Sequence, residues 1–156
     1  MTWRAEQVDE VVWSYRMFDE LSRGSEQDRL RADADHWWAW EAVNRAVLDG
    51  NLPIEVLDEM LHDPDADHAH RVYVAAGPIE DLLSDHPEDY ADLIAERCRT
   101  DRVWANAVEH VWLEPEDWRE LPESLRRLVP GPSGSSSRGR AKRSQPPSGG
   151  RPPRGR

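Results

Sequence analysis

Along Ala5–Ser22 the apolar residues Val8, Val11, Val12, Tyr15 and Phe18 recur at three- and four-residue intervals, one face of an α-helix. Asp19 falls near the middle of that face. Pairing with Arg16 or Arg23, or capping a neighbouring helix, is the commoner fate of such a charge, ahead of lining a pocket. Arg23-Gly24-Ser25 ends the pattern, and a second helix is expected over residues 27–49, closed by Gly50. At about 100° per residue, Trp37, Trp40, Val43 and Val47 share a face, which makes Trp37 and Trp40 core candidates. Trp38 and Ala42 point elsewhere. We place Trp38 in a second packing layer; left exposed, it would be a contact anchor. A short third helix over residues 53–61 turns Ile54, Leu57 and Leu61 inward.

The stretch 72–85 contains the one local contradiction, Gly77-Pro78 inside an apolar stripe. Val72, Ala76, Ile79 and Leu83 keep a four-three-four spacing across it. Pro78 lacks an N–H, and in an unbroken helix its ring presses on the Val74 carbonyl at a cost of about 3 kcal/mol. The helix therefore either kinks here or stops and restarts with Pro78 at its first position. A restart puts Glu80 at the third position, where it and Asp81 offset unpaired N–H groups, and this capping role is favoured over a catalytic one. Helices over 88–99 (Tyr90, Ile94, Cys98) and 101–112 follow. The latter has Asp101 as N-cap and Trp104, Ala107, Val108, Val111 and Trp112 apolar. One or two short helices then bury Trp118, Leu121, Leu125 and Leu128. No alternating strand pattern appears. The expected fold class is all-α: six or seven antiparallel helices, α-solenoid-like or an irregular bundle.

Composition divides the chain. Residues 130–156 hold six Pro, six Gly, six Ser and seven basic residues, with no acid and no large apolar side chain, the profile of a disordered tail. Residues 1–129 form one all-α domain and carry all 31 acids against 13 of the 20 Lys and Arg. They are formally −18 against +7 in the tail and −11 overall. Such a body repels phosphate, so nucleic acid is not its expected partner. The basic tail could anchor weakly to nucleic acid, fold back on the body or simply solubilise it, and the expectation is a tail with no specific ligand. The one cysteine, Cys98, excludes an intramolecular disulfide and lies on an apolar face as a buried, inert thiol. With no signal-peptide pattern at the N-terminus and no apolar run of membrane-spanning length, a cytoplasmic location is expected.

Candidate chemistry is sparse. Asp63, Asp65 and Asp67 imitate the start of an EF-hand loop, but the sixth position is His68 and the twelfth Val74, so that motif is rejected. No later ligand pattern completes a site around His68 and His70, and the segment reads as an acidic helix start, with no metal. His36, His86 and His110 read as packed or capping residues. No nucleophile elbow, zinc-helix, phosphate-loop or dinucleotide motif occurs, and no cofactor is expected. Glu41, Glu80 and Asp81 could gather in space, although sequence alone does not place them together.

Three blocks in order, Trp38-Ala39-Trp40-Glu41, Gly77-Pro78-Ile79-Glu80-Asp81-Leu82-Leu83 and Asp101-Arg102-Val103-Trp104-Ala105-Asn106-Ala107, resemble an uncharacterised bacterial family, the domain of unknown function 6869. The resemblance spans roughly residues 34–125. Arg102 stands where the family pattern has Pro, Trp104 where it has Phe, and His86-Pro87 where it tends to His-Gly. It implies an all-α fold and brings no activity. Gly77, Pro78, Trp37, Trp40 and Trp104 are accordingly expected to be structural. The expected function is a protein-interaction module, immunity-like in one form, with a basic protein partner. It would bind through an acidic, Trp-containing surface with Trp38, Glu41, Glu80 and Asp81 as contacts. The alternatives are an enzyme with a carboxylate site near Glu41, Glu80 and Asp81, and weak nucleic-acid anchoring by the tail.

Overall fold

The computed structural model describes residues 3–132. These residues form helices and no strand, as the apolar spacing predicts. Helix α1 (Ala5–Ser22) is followed by α2 (Glu26–Arg31), a π-helical turn (Ala32–His36) and α3 (Trp37–Leu48), which run on as one rod. After α4 (Ile54–His62) a second composite rod joins α5 (His68–Val74), a π-turn (Ala75–Ile79) and α6 (Glu80–Asp85). Helices α7 (Pro87–Thr100), α8 (Arg102–Val108), α9 (Pro115–Glu120) and α10 (Glu123–Arg126) complete the described residues, eight helices when each rod counts once. Helix α1 packs on α3, α4 and α5 together. A solenoid confines contacts to sequence neighbours, so this is an irregular bundle gathered around α1.

Local chemistry sets the boundaries. Ser25 starts α2 with a capping box: the Asp28 N–H donates to Ser25 Oγ (3.1 Å), and the Ser25 N–H donates to Asp28 Oδ2 (3.1 Å). Asp67 caps α5 by accepting from the His70 N–H at 2.7 Å, and Asp101 caps α8 by accepting from the Val103 N–H at 2.8 Å. Gly50 ends the first rod at φ 64°, and a Cβ there would stand 2.8 Å from the His86 ring.

The second rod resolves the Gly77-Pro78 contradiction by kinking rather than restarting. Gly77 leaves helical geometry (φ −110°, ψ −106°), and the Glu80 N–H reaches back five residues to the Ala75 carbonyl. The stripe expected for Val72, Ala76, Ile79 and Leu83 is not the buried face: Ala76 is exposed and Val72 half-buried. The buried residues are His70, Val74, Pro78 and Leu82, four apart each time, with Ala75, Ile79 and Leu83 beside them. Twelve residues of α-helix at about 100° each end about 120° out of phase; a π-turn absorbs one extra residue and cuts that to about 20°. Because α6 begins inside a rod, it has no free N-terminus for Glu80 to cap.

Helix α3 is also rotated from its expected face. Ala39, Val43, Ala46 and Val47 are buried, whereas Trp37 and Trp40 are half-buried and Trp38 is exposed, not in a second layer. Two alanines let α1 come close, and the indoles are pushed to the margins. There Trp37 and Trp40 stack at 4.6 Å with Phe18 against both. Trp104 is the fully buried tryptophan among the described residues, its Nε1–H donated to Asp58 Oδ1 at 2.7 Å. Arg97 grips the same carboxylate in a fork (3.0 and 2.9 Å), so Asp58 ties α4 to α7 and α8. Helix α8 stops at Val108, earlier than its apolar pattern suggests, and Trp112 is half exposed. Leu121, Leu125 and Val129 close the core. Among the described residues no helix is long and apolar enough to cross a membrane. The expectation of a disordered tail falls almost wholly outside the described residues.

Candidate functional site

Helix α1 presents chemistry on two sides. On one, it and α3 enclose a groove of about 410 Å³. Val11, Ala42 and Ala46 line it together with the indoles of Trp3 and Trp38, and Glu10, Glu41, Asp49 and Arg45 supply its charges. Three carboxylates thus face one guanidinium, and Arg45 lies 3.8 Å from Glu41 on an exposed helix face. Helical spacing explains the wall: Trp38, Glu41, Ala42, Arg45 and Asp49 recur at intervals of three and four along one side of α3. The alanines leave the hollow and the tryptophan borders it.

The four expected contact residues do not converge. Trp38 and Glu41 line the groove; Glu80 and Asp81 do not. Glu80 Oε2 accepts from the Trp112 backbone N–H at 2.9 Å, fixing the segment after α8. Asp81 belongs to the far side of α1, where its charge adds to the field on Tyr15. The groove therefore does not gather Glu41, Glu80 and Asp81 as the enzyme reading requires.

On that far side lies a polar cluster that sequence reasoning missed. His70 is fully buried, and its Nδ1 is 2.8 Å from Oδ2 of the buried Asp19, which also meets Arg23 at 3.1 Å. A carboxylate only accepts, so Nδ1 carries the proton. The other ring nitrogen, Nε2, is buried and has no hydrogen-bond partner among the described residues. Tyr15 and Tyr73 flank the imidazole with ring centroids 6.2 and 6.3 Å away. Burial, then the neighbouring Tyr73, pushes the Tyr15 phenol well above its usual range. The only signal in the sequence was Asp19 on an apolar face. Its partner stood fifty-one residues on, inside a run of acids and histidines that reads as solvated.

The acidic loop before α5 is consumed by structure. Asp63 pairs with Arg16 at 2.8 Å, Asp65 lies 3.8 Å from the same guanidinium, and Asp67 caps α5. The His70 N–H bond holds the Asp67 carboxyl below its usual range. His68 is exposed, its ring 5.4 Å from that of His110. At the start of α7, His86, Glu88 and Asp89 bring one ligand atom each within 4.8 Å of the others, a grouping that sequence reasoning also passed over. The His86 Nε2 bonds to the Leu48 carbonyl (3.0 Å), tying α7 to the end of α3. The two carboxylates are exposed in a first helical turn, where they offset unpaired N–H groups, and nothing else singles the trio out.

Burial raises the Cys98 thiol to about 12, as expected of an inert cysteine. Trp104, Gly77 and Pro78 occupy the structural positions described above.

No curated protein and no solved structure matches the chain. The model of the family of unknown function DUF6869 matches residues 25–126. That span includes α3 and the Gly77-Pro78 turn and begins after α1, so Trp3, Gln7, Glu10 and Val11 of the groove lie before it. More than half of the chain is covered by the match, and the chain belongs to the DUF6869 family.

Proposed function

We propose that this protein is a helical binding module whose α1–α3 groove accepts a basic segment of a partner protein. The observation that carries the reading is the pairing of two indoles, Trp3 and Trp38, with three carboxylates around a groove of about 410 Å³. An indole face attracts a cation, and more so where the cation is partly desolvated. An apolar floor accepts the methylene stem of Arg or Lys while the carboxylates meet its head. The body charge of −18 steers cationic chains toward this surface from a distance. Neutralisation of a basic toxin is one form such a role takes. Separation of Glu80 and Asp81 from Glu41 supports binding over carboxylate catalysis.

The test is a titration of the full chain with an acetylated hexapeptide of alternating Arg and Ala, followed through the indole N–H resonances of Trp3 and Trp38. Binding in the micromolar-to-millimolar range is expected. It should weaken several-fold between low and physiological salt, and about tenfold on Trp38→Ala, a loss of about 1.4 kcal/mol. A hexapeptide of alternating Glu and Ala producing the same shifts, or no shift with either peptide, would refute the reading. Trp38 is exposed, so its replacement leaves the core intact.

A further inference from the structure

We infer that the groove's resident occupant is the chain's own basic segment, residues 138–156, which docks there in cis and must be displaced by any external ligand. This rests on the reading of the groove as a site for basic segments.

Charge complementarity is the first support. Residues 138–156 carry seven cations and no acid, whereas the groove offers Glu10, Glu41 and Asp49 against Arg45 alone. The groove therefore has two negative charges in excess, within a body formally at −18. Spacing is the second. Glu41 and Asp49 stand eight residues apart along α3, about 12 Å at 1.5 Å per residue. Four residues of extended chain, the separation of Arg138 and Lys142, cover about 13 Å, and alternation puts Arg138, Arg140 and Lys142 on one side of such a segment. One pass of the segment can thus meet both ends of the acidic wall, with a third cation between them for the indoles.

Reach is the third. The basic positions lie 6 to 24 residues beyond Pro132, about 20 to 80 Å of extended chain. A body of this size has a radius of gyration of about 14 Å, so about 36 Å across. The far cations, Arg151 to Arg156, can arrive from any exit point, and the pass through Arg138 and Lys142 requires Pro132 to lie within about 33 Å of the groove. Docking in cis gains from tethering, which through a short connection sets an effective concentration on the order of 1 mM. A contact of dissociation constant on the order of 0.1 mM is then mostly occupied, and an external basic peptide competes at a disadvantage of about tenfold.

The experiment compares the full chain with a full-length variant in which the seven Lys and Arg of residues 138–156 are changed to Gln. Two readouts are used: the Trp3 and Trp38 indole resonances, and the affinity of the Arg-Ala hexapeptide. Docking in cis predicts that neutralising the segment moves those two resonances and tightens hexapeptide binding about tenfold, at every protein concentration. Unmoved resonances together with equal peptide affinity in the two chains overturn the inference while leaving the groove as a binding site. A hexapeptide that binds neither chain defeats the groove reading and this inference with it. A resonance difference that vanishes on dilution assigns the occupant to a second copy of the chain, and the inference fails in that case as well. Equal far-ultraviolet circular dichroism and equal thermal midpoints of the two chains check that the variant keeps the parent's fold.

Discussion

Helix α1 holds two buried histidines by the same ring nitrogen, and the partners differ. His36, in the first π-turn, meets the hydroxyl of Ser14 through Nδ1 at 2.7 Å, close to the surface, with the edge of exposed Trp13 at 5.2 Å. His70, in α5, meets the carboxylate of Asp19 at 2.8 Å with no exposure at all. A hydroxyl both donates and accepts, so the first pair satisfies itself with either tautomer. A carboxylate fixes the tautomer, needs further donors, and finds one in Arg23. The lesson is that two contacts of equal length carry unequal consequences. Removing a neutral partner loses one modest bond, whereas removing a buried charge's partner strands what remains.

The contrast can be broken at several levels. The largest effect is expected from Asp19→Ala, which leaves the His70 N–H buried without an acceptor and should cost about 3 kcal/mol or more in urea unfolding. Next, a double-mutant cycle on Asp19 and His70 should return a coupling on the order of 2 kcal/mol, against less than about 1 kcal/mol for Ser14 and His36. Ser14→Ala alone should cost about 1 kcal/mol; a value matching Asp19→Ala would show the two pairs to be equivalent. The smallest effect concerns a buried group kept neutral. The Cys98 thiol is raised from its ordinary 9.0 to about 12 by burial, so the folded state binds its proton more tightly than the unfolded state does. Its contribution is complete below pH 9 and is lost as pH rises toward 12. By pH 10 the parent should have lost up to about 1.4 kcal/mol more than Cys98→Ala. Equal pH slopes in the two proteins would mean that the thiol is not shielded.

Much of the fold was legible because helix periodicity and capping chemistry are local. Helix α1 was delimited by its apolar spacing, α8 by Asp101, and the first rod's end by Gly50. What escaped depends on one residue more or fewer per turn. Gly77-Pro78 marks a break but not the extra residue the π-turn absorbs, so the stripe through Val72 and Ala76 follows ordinary helix phase while the buried line runs through His70, Val74 and Pro78. The α3 face was misjudged for a related reason. Hydrophobicity favoured the tryptophans, but close helix approach selected Ala39 and Ala46 for the interior. The groove was half legible: Trp38 and Glu41 were marked, yet the wall supplied by Trp3 and Glu10 requires α1 to be in place. Glu80 accepts a backbone N–H, as a capping role requires, but Trp112 supplies it rather than the start of its own helix.

The position of α1 bears on what counts as a unit of this protein. The span shared with the family begins at residue 25, yet Val11, Val12, Tyr15 and Phe18 fill the centre of the bundle, and Ser14 and Asp19 hold both buried imidazoles. A fragment cut to residues 25–126 would open that centre to water and leave His36 and His70 without their partners. The stretch that the family match covers and the unit that folds cooperatively therefore have different borders here: the match starts after the first helix, and folding requires the helix as well.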